Sequence, residues 1–123
     1  MITTEQLLRY LPTKLYHATY KQKLNNIKRF GLDNTRTKKA WDDSISGTVY
    51  MCTDPHVAAS YAEASDRVPE SYLDNIVILH IDTAKLDLDK LNLDQNILDN
   101  EGDSLEYDGV IPYSSILIAE PYS

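Results

Sequence analysis

The sequence predicts an α+β fold with mainly antiparallel strand pairing. Three observations carry this expectation: helix-type periodicity is concentrated in the first half, β-branched runs fall mostly in the second, and few strand–helix–strand alternations occur that would build a parallel sheet. The 123 residues and 14.0 kDa fit one compact domain spanning 1–123, and no repeat, low-complexity tract or Pro/Gly-rich linker divides it.

The elements follow from local chemistry. Thr4 before Glu5-Gln6-Leu7-Leu8-Arg9-Tyr10-Leu11 reads as a capped short helix stopped by Pro12. Lys14-Leu15-Tyr16-His17-Ala18 reads as extended, and a helix follows from Gln22 to Phe30 with Leu24, Ile27 and Phe30 on one stripe. Gly31 suits the left-handed position that ends it, with Leu32 folding back. Residues Asp33 to Ser46 read as a polar loop anchored by Trp41. Thr48-Val49-Tyr50-Met51-Cys52-Thr53 has the content of a buried strand. Asp54-Pro55 pairs an N-cap with proline at the first helical position and opens an alanine-rich helix to about Ser65. Asn75 to Asp82 is the strongest strand pattern in the chain. Leu86, Leu88, Leu91 and Leu93 alternate irregularly with acids, as in an edge strand or irregular acidic lobe. Val110-Ile111 and Ile116 to Ala119 read as two further short strands.

Charge is segregated. Nine acids against Lys85 and Lys90 give Asp82 to Asp108 a net −7, which is also the charge of the whole chain. Arg9 to Lys39 carries nine bases against Asp33 alone, a net +8. Such halves attract each other across a solvated surface, and the basic end suits a phosphate-bearing small ligand. The acidic total argues against long nucleic acid as a partner. No apolar run approaches the roughly 20 residues that span a bilayer, and Met1 to Glu5 lacks a signal pattern, so a cytoplasmic protein with no membrane partner is expected. The single cysteine, Cys52, agrees with a reducing compartment and reads as a buried, inert thiol.

Several chemistries lack their residues. His17, His56 and His80 lie far apart and no pair has ligand spacing, so no metal is expected. The acids around Asp99 to Asp103 do not follow a calcium-loop pattern. With four glycines in all, neither a phosphate-binding glycine loop nor a nucleophile elbow is present.

Three segments gain meaning when read together. Leu15-Tyr16-His17-Ala18-Thr19, followed by a helix ending in Phe30-Gly31-Leu32, resembles the opening of diphtheria-toxin-like ADP-ribosyltransferases, with its Tyr-His-Gly-Thr, helix and Gly-Ile/Leu. Gly47 to Asp54, then Ala58-Ala59-Ser60-Tyr61, is similar to the Gly-Ile-Tyr-Phe-Ala-Asp pattern of poly(ADP-ribose) polymerases. In both, a second tyrosine stands eleven residues after the first, here Tyr50 and Tyr61. Leu105-Glu106-Tyr107 is similar to the Asn-Glu-Tyr segment that supplies the family's glutamate. The three blocks follow one another in family order and cover about half the chain.

The resemblance implies the His-Tyr-Glu class: two packed, mainly antiparallel sheets with a few short helices, holding NAD in a cleft. It implies that His17 bonds a ribose hydroxyl of the adenosine half, the Ala18 backbone meets the nicotinamide amide, and Thr19 touches ribose. Tyr50 and Tyr61 would enclose the nicotinamide ring, and Glu106 would bond the 2′-hydroxyl of the nicotinamide ribose. Glu106, His17 and Tyr50 are thus the expected catalytic residues. The chemistry is sound by itself, because a flat cationic ring is held by aromatic faces at about 0.5–2 kcal/mol per contact. A fixed carboxylate also stabilises the oxocarbenium-like centre left when the glycosidic bond breaks. Arg36, with Lys38 and Lys39, is a candidate for the NAD diphosphate.

The function so implied is mono-ADP-ribosyl transfer from NAD, without a metal, to a macromolecular acceptor, expected to be a protein. Bare single-domain size suits a toxin or phage-encoded modifier. Ala18 stands where the family has glycine, and Ala58 where the polymerases have serine. These motivate an alternative expectation, a non-catalytic module binding NAD, ADP-ribose or a protein. The NAD-dependent RNA 2′-phosphotransferase branch fits less well, since that chemistry needs arginines around a phosphate and none of Arg9, Arg29, Arg36 and Arg67 is well placed for this within the three blocks.

Overall fold

A computed structural model describes residues 3–33, 48–64, 68–94 and 103–122. Its elements run α1 (Thr4–Arg9), β1 (Lys14–Tyr20), α2 (Leu24–Phe30), β2 (Thr48–Cys52), α3 (Pro55–Glu63), β3 (Ile76–Asp82), β4 (Leu91–Leu93), β5 (Ser104–Asp108) and β6 (Ile116–Pro121). The α+β class and the antiparallel pairing hold. The described strands form one six-stranded sheet in the order β4-β5-β2-β1-β3-β6, where the resemblance implies two packed sheets.

That sheet has a narrow waist. β1 pairs with β3 over seven residues, from Lys14↔Asp82 to Tyr20↔Ile76, and β2 pairs with β5 over five, from Thr48↔Asp108 to Cys52↔Ser104. Between β1 and β2 the register consists of Tyr16↔Cys52 alone. Two three-stranded halves, β4-β5-β2 and β1-β3-β6, therefore meet at a single residue pair.

Side-chain alternation divides the sheet into two faces. One carries Leu15, Val49, Met51, Leu79, Ile81 and Leu105, all at most 1% exposed, packed with Leu7 of α1 and Ile27 of α2. The other carries Ile76, Ile78 and Tyr20 against Ala59 and Ala62 of α3, with Tyr16 and Ala18 at its margin. Alanines on the buried side of α3 let the helix lie close to the strands, and the Tyr20 hydroxyl donates to the Ala62 carbonyl at 2.7 Å.

Local chemistry accounts for most boundaries. Asp54 caps α3 by accepting from the His56 N–H at 2.8 Å, with Pro55 at the first helical position, as its sequence predicts. The α1 cap is Thr3 rather than Thr4. Its hydroxyl accepts from the Gln6 N–H, and the Gln6 side chain accepts from the Thr3 N–H, completing a capping box. A 3₁₀ turn, Lys21–Lys23, replaces the first turn expected of α2, and α3 ends at Glu63 rather than near Ser65, which lies outside the described residues. Two 3₁₀ turns, Thr83–Lys85 and Leu88–Lys90, precede the short β4. They begin where the Asp82 and Asp87 side chains accept from the N–H groups of Ala84 and Asp89. Val110-Ile111 is not a strand. Ile111 instead forms an isolated bridge with Leu32, exchanging N–H···O bonds of 2.8 and 3.1 Å. The polar loop with Trp41 and the residues Arg36, Lys38 and Lys39 lie outside the described residues. Among the described residues, no helix is long and apolar enough to cross a membrane.

Gly31 carries the turn out of α2 at φ +76°, and a Cβ built there would lie 2.5 Å from the Ile111 carbonyl oxygen. The left-handed backbone and the clash act together. Gly31→Ala is expected to lower unfolding free energy by about 2 kcal/mol or more, read as a fall in the urea midpoint with an unchanged slope.

Candidate functional site

Tyr50 and Glu106 are direct partners across the β2–β5 ladder, and Asn92 of β4 is the partner of Glu106 on its other side. Each alternates with residues of the large core, namely Val49 and Met51, Leu105 and Tyr107, Leu91 and Leu93. All three therefore leave the sheet on the α3 face as one row, Asn92–Glu106–Tyr50, with neighbouring Cβ atoms about 5 Å apart. Glu106 is buried at 8% exposure and Tyr50 is half-buried.

α3 brings Tyr61 to the same face. Its hydroxyl lies 3.1 Å from Ser104 Oγ, and Ser104 stands two residues before Glu106 on β5, the next position on that face. The buried Ser104 hydroxyl is also 3.9 Å from Cys52 Sγ, across the Cys52↔Ser104 pair. Burial raises the Cys52 pKa to about 11, so the thiol stays protonated at neutral pH, in line with its reading as inert.

His17 reaches this group from the other half of the sheet. By alternation its Cβ leaves β1 opposite to Tyr16 and Ala18, and its ring enters the waist beside β2, where Nδ1 is 2.7 Å from the Tyr50 carbonyl oxygen. A carbonyl can only accept, so Nδ1 carries the hydrogen and Nε2 is left as an acceptor. Burial holds the imidazole below its ordinary pKa. The Tyr50 carbonyl bond opposes that shift and the nearby Lys23 charge adds to it. The ring is therefore neutral at pH 7. Lys23 closes the 3₁₀ turn after β1 with its ammonium 5.8 Å from the centre of the Tyr20 ring, and its own pKa is lowered by burial.

The remaining expected residues fare unevenly. Ala18 sits in β1 with its methyl group against the smaller core, under α3. Thr19 is 4% exposed, leaving little of its hydroxyl to a ligand. Ala58 is buried in α3. Arg36 lies outside the described residues, as does Arg67, while Arg9 pairs with Glu5 at 3.3 Å and Arg29 stacks on Phe30. Among the described residues no group of His, Cys, Asp or Glu could hold a metal ion.

The fold therefore gathers Tyr50, Tyr61 and Glu106 on one face and ties His17 to the Tyr50 backbone. It adds three residues that sequence reading missed, Asn92, Ser104 and Lys23. Asn92 was discoverable in principle, since aligning the alternation of Leu91-Asn92-Leu93 and Val49-Tyr50-Met51 with Leu105-Glu106-Tyr107 puts the polar centres in register. No protein-family model matches the chain, and no curated protein matches it.

The depressed His17 pKa has a stability consequence. The unfolded chain takes up a proton near the ordinary value of 6.5 and the folded chain resists it. Stability is therefore full above that pH and falls as pH drops below it. His17→Asn, whose amide can donate to the same carbonyl, is expected to flatten the decline of urea stability between about pH 7 and 5. An equal slope in both proteins would show that another group sets it.

Proposed function

We propose that this protein is an NAD-dependent mono-ADP-ribosyltransferase of the His-Tyr-Glu kind. The single observation that carries the reading is the direct pairing of Tyr50 with Glu106 on the face that receives Tyr61, with His17 bonded to the Tyr50 carbonyl. An aromatic wall and a carboxylate side by side suit a flat cationic ring joined to a sugar. The narrow waist between β1 and β2 supports the further reading that the two sheet halves flank the ligand, as the two sheets do in the family resembled.

In this reading the nicotinamide ring of NAD lies against Tyr50 and Tyr61, with its ribose toward Glu106. The bond between the ribose C1′ and the ring nitrogen breaks and its electron pair leaves with nicotinamide, which becomes neutral. The Glu106 carboxylate bonds the 2′-hydroxyl and offsets the positive charge developing on the sugar, an interaction stronger in the transition state than in the ground state. An acceptor nucleophile, on a protein or by default water, attacks C1′ and gives its proton to solvent or to the carboxylate. Neutral His17 offers Nε2 as an acceptor to a ribose hydroxyl and helps hold the ligand in register.

The burial of Glu106 and the alanines at positions 18 and 58 favour one other reading, a module of the same fold that binds NAD or ADP-ribose without turnover. Nicotinamide release from NAD separates the two. Wild type is expected to release nicotinamide, and Glu106→Gln, which keeps the side-chain shape, to lower the rate by about 10²–10³. Equal rates would defeat the transferase reading, and saturable NAD binding without release in wild type would establish the binding module.

A further inference from the structure

We propose that Lys23 is an anchor for the diphosphate of a diphosphate-bearing ligand, placed on the β1 side of the waist. The inference rests on the functional reading above for the identity of that ligand, and on independent observations for the anion.

The first observation is a half-buried ammonium with no ion-pair partner among the described residues. Lys23 is half-buried, it lies over the Tyr20 ring, and among the described residues it makes no ion pair. Removing a cation from water is costly unless an opposite charge or hydrogen-bond acceptors replace the lost hydration, and an aromatic face replaces it only in part. An anion arriving with its own oxygen acceptors completes what the protein leaves incomplete.

The second is that the platform is fixed. The Tyr20 hydroxyl donates to Ala62 O at 2.7 Å, and its ring packs against Tyr72 at 5.8 Å between centres. The ammonium is thus carried by a held aromatic rather than by a free surface arm. Lys21, Lys28 and Arg29 are exposed in the same turn and in α2, while Glu70 and Asp74, on the 3₁₀ turn Glu70–Asn75 that packs against it, make no ion pair with Lys23 among the described residues.

The third is order in space. Glu106, Tyr50 and His17 lie on successive strands β5, β2 and β1. Lys23 follows at the end of β1, close enough for its charge to depress the proton affinity of His17. A dinucleotide whose ring rests on Tyr50, with the adjoining ribose toward Glu106, crosses the waist with its diphosphate toward Lys23 and its adenosine ribose toward His17. The sequence pointed instead to Arg36, Lys38 and Lys39 for this role.

The test uses the full chain and three probes, inorganic diphosphate, nicotinamide and NAD, titrated by calorimetry into wild type, Lys23→Gln and Lys23→Arg. The His17 ring is followed by NMR, and folding of each variant is checked by circular dichroism. Expected results are saturable diphosphate binding to wild type and a rise in the His17 midpoint when it binds. In Lys23→Gln, the free protein should show a raised His17 midpoint. Affinity for diphosphate and NAD should fall by about tenfold or more, nicotinamide binding should be unchanged, and Lys23→Arg should retain most of the diphosphate affinity. The proposal is overturned if wild type does not bind diphosphate, if folded Lys23→Gln binds it as wild type does, or if Lys23→Gln loses nicotinamide equally. Loss of diphosphate binding in Lys23→Gln together with no NAD binding or turnover by wild type would uphold Lys23 as the anchor while removing the transferase reading. NAD turnover that is unaffected by Lys23→Gln would do the reverse.

Discussion

The His17 imidazole bonded to the Tyr50 carbonyl stands where a backbone ladder would otherwise continue. β1 and β2 are joined by one residue pair, so beyond Tyr16 and Cys52 their facing backbone groups need other partners, because an unpaired buried carbonyl is costly. A side chain supplies one of them. The bond holds the two halves of the sheet in relation to each other, fixes which ring nitrogen carries the hydrogen, and leaves the other as an acceptor. Burial keeps the ring neutral, which is the state in which it can play that double part.

Alternation along the strands does the rest of the positioning. The face that packs on α1 and α2 takes the large aliphatic side chains and forms the principal core. The opposite face of β2 and β5 is left with Thr48, Tyr50, Cys52, Ser104 and Glu106, several of them buried and polar. Such a face is an unfavourable place for a packing core and a suitable one for chemistry. α3 covers its margin with alanines, which bring the helix axis close to the sheet and let the Tyr61 phenol reach Ser104.

Electrostatics follow the same division. Of the acids between Asp82 and Asp108, Asp82 ends β3, Asp87 and Asp89 lie in the turns before β4, Asp94 follows β4, and Glu106 and Asp108 lie on β5, whereas β1, α2 and the turn between them carry Lys14, Lys21, Lys23, Lys28 and Arg29. The waist between β1 and β2 separates Glu106 on β5 from Lys23 after β1. A ligand with a cationic ring at one end and phosphates at the other matches that polarity in direction, ring toward Glu106 and phosphates toward Lys23.

By itself the sequence determined most element types, the α3 cap at Asp54-Pro55, the glycine stop after α2 and the identities of Tyr50, Tyr61, His17 and Glu106 as residues worth testing. The caps and element types depend on chemistry within a few residues of themselves, whereas the four site residues came from the order of three short blocks along the chain. Only the tertiary structure decided that Glu106 lies on a strand opposite Tyr50, that Ser104 meets Tyr61, that Ile111 bridges to Leu32 instead of forming a strand, and that the described strands make one sheet with a single-pair waist. Strand register and strand order arise from contacts between segments tens of residues apart, and local periodicity does not encode which of several alternating strands becomes whose neighbour. Lys23 makes the same point most sharply, since a lysine in a basic stretch reads as one among many until the fold half-buries it over the Tyr20 ring with no ion pair among the described residues.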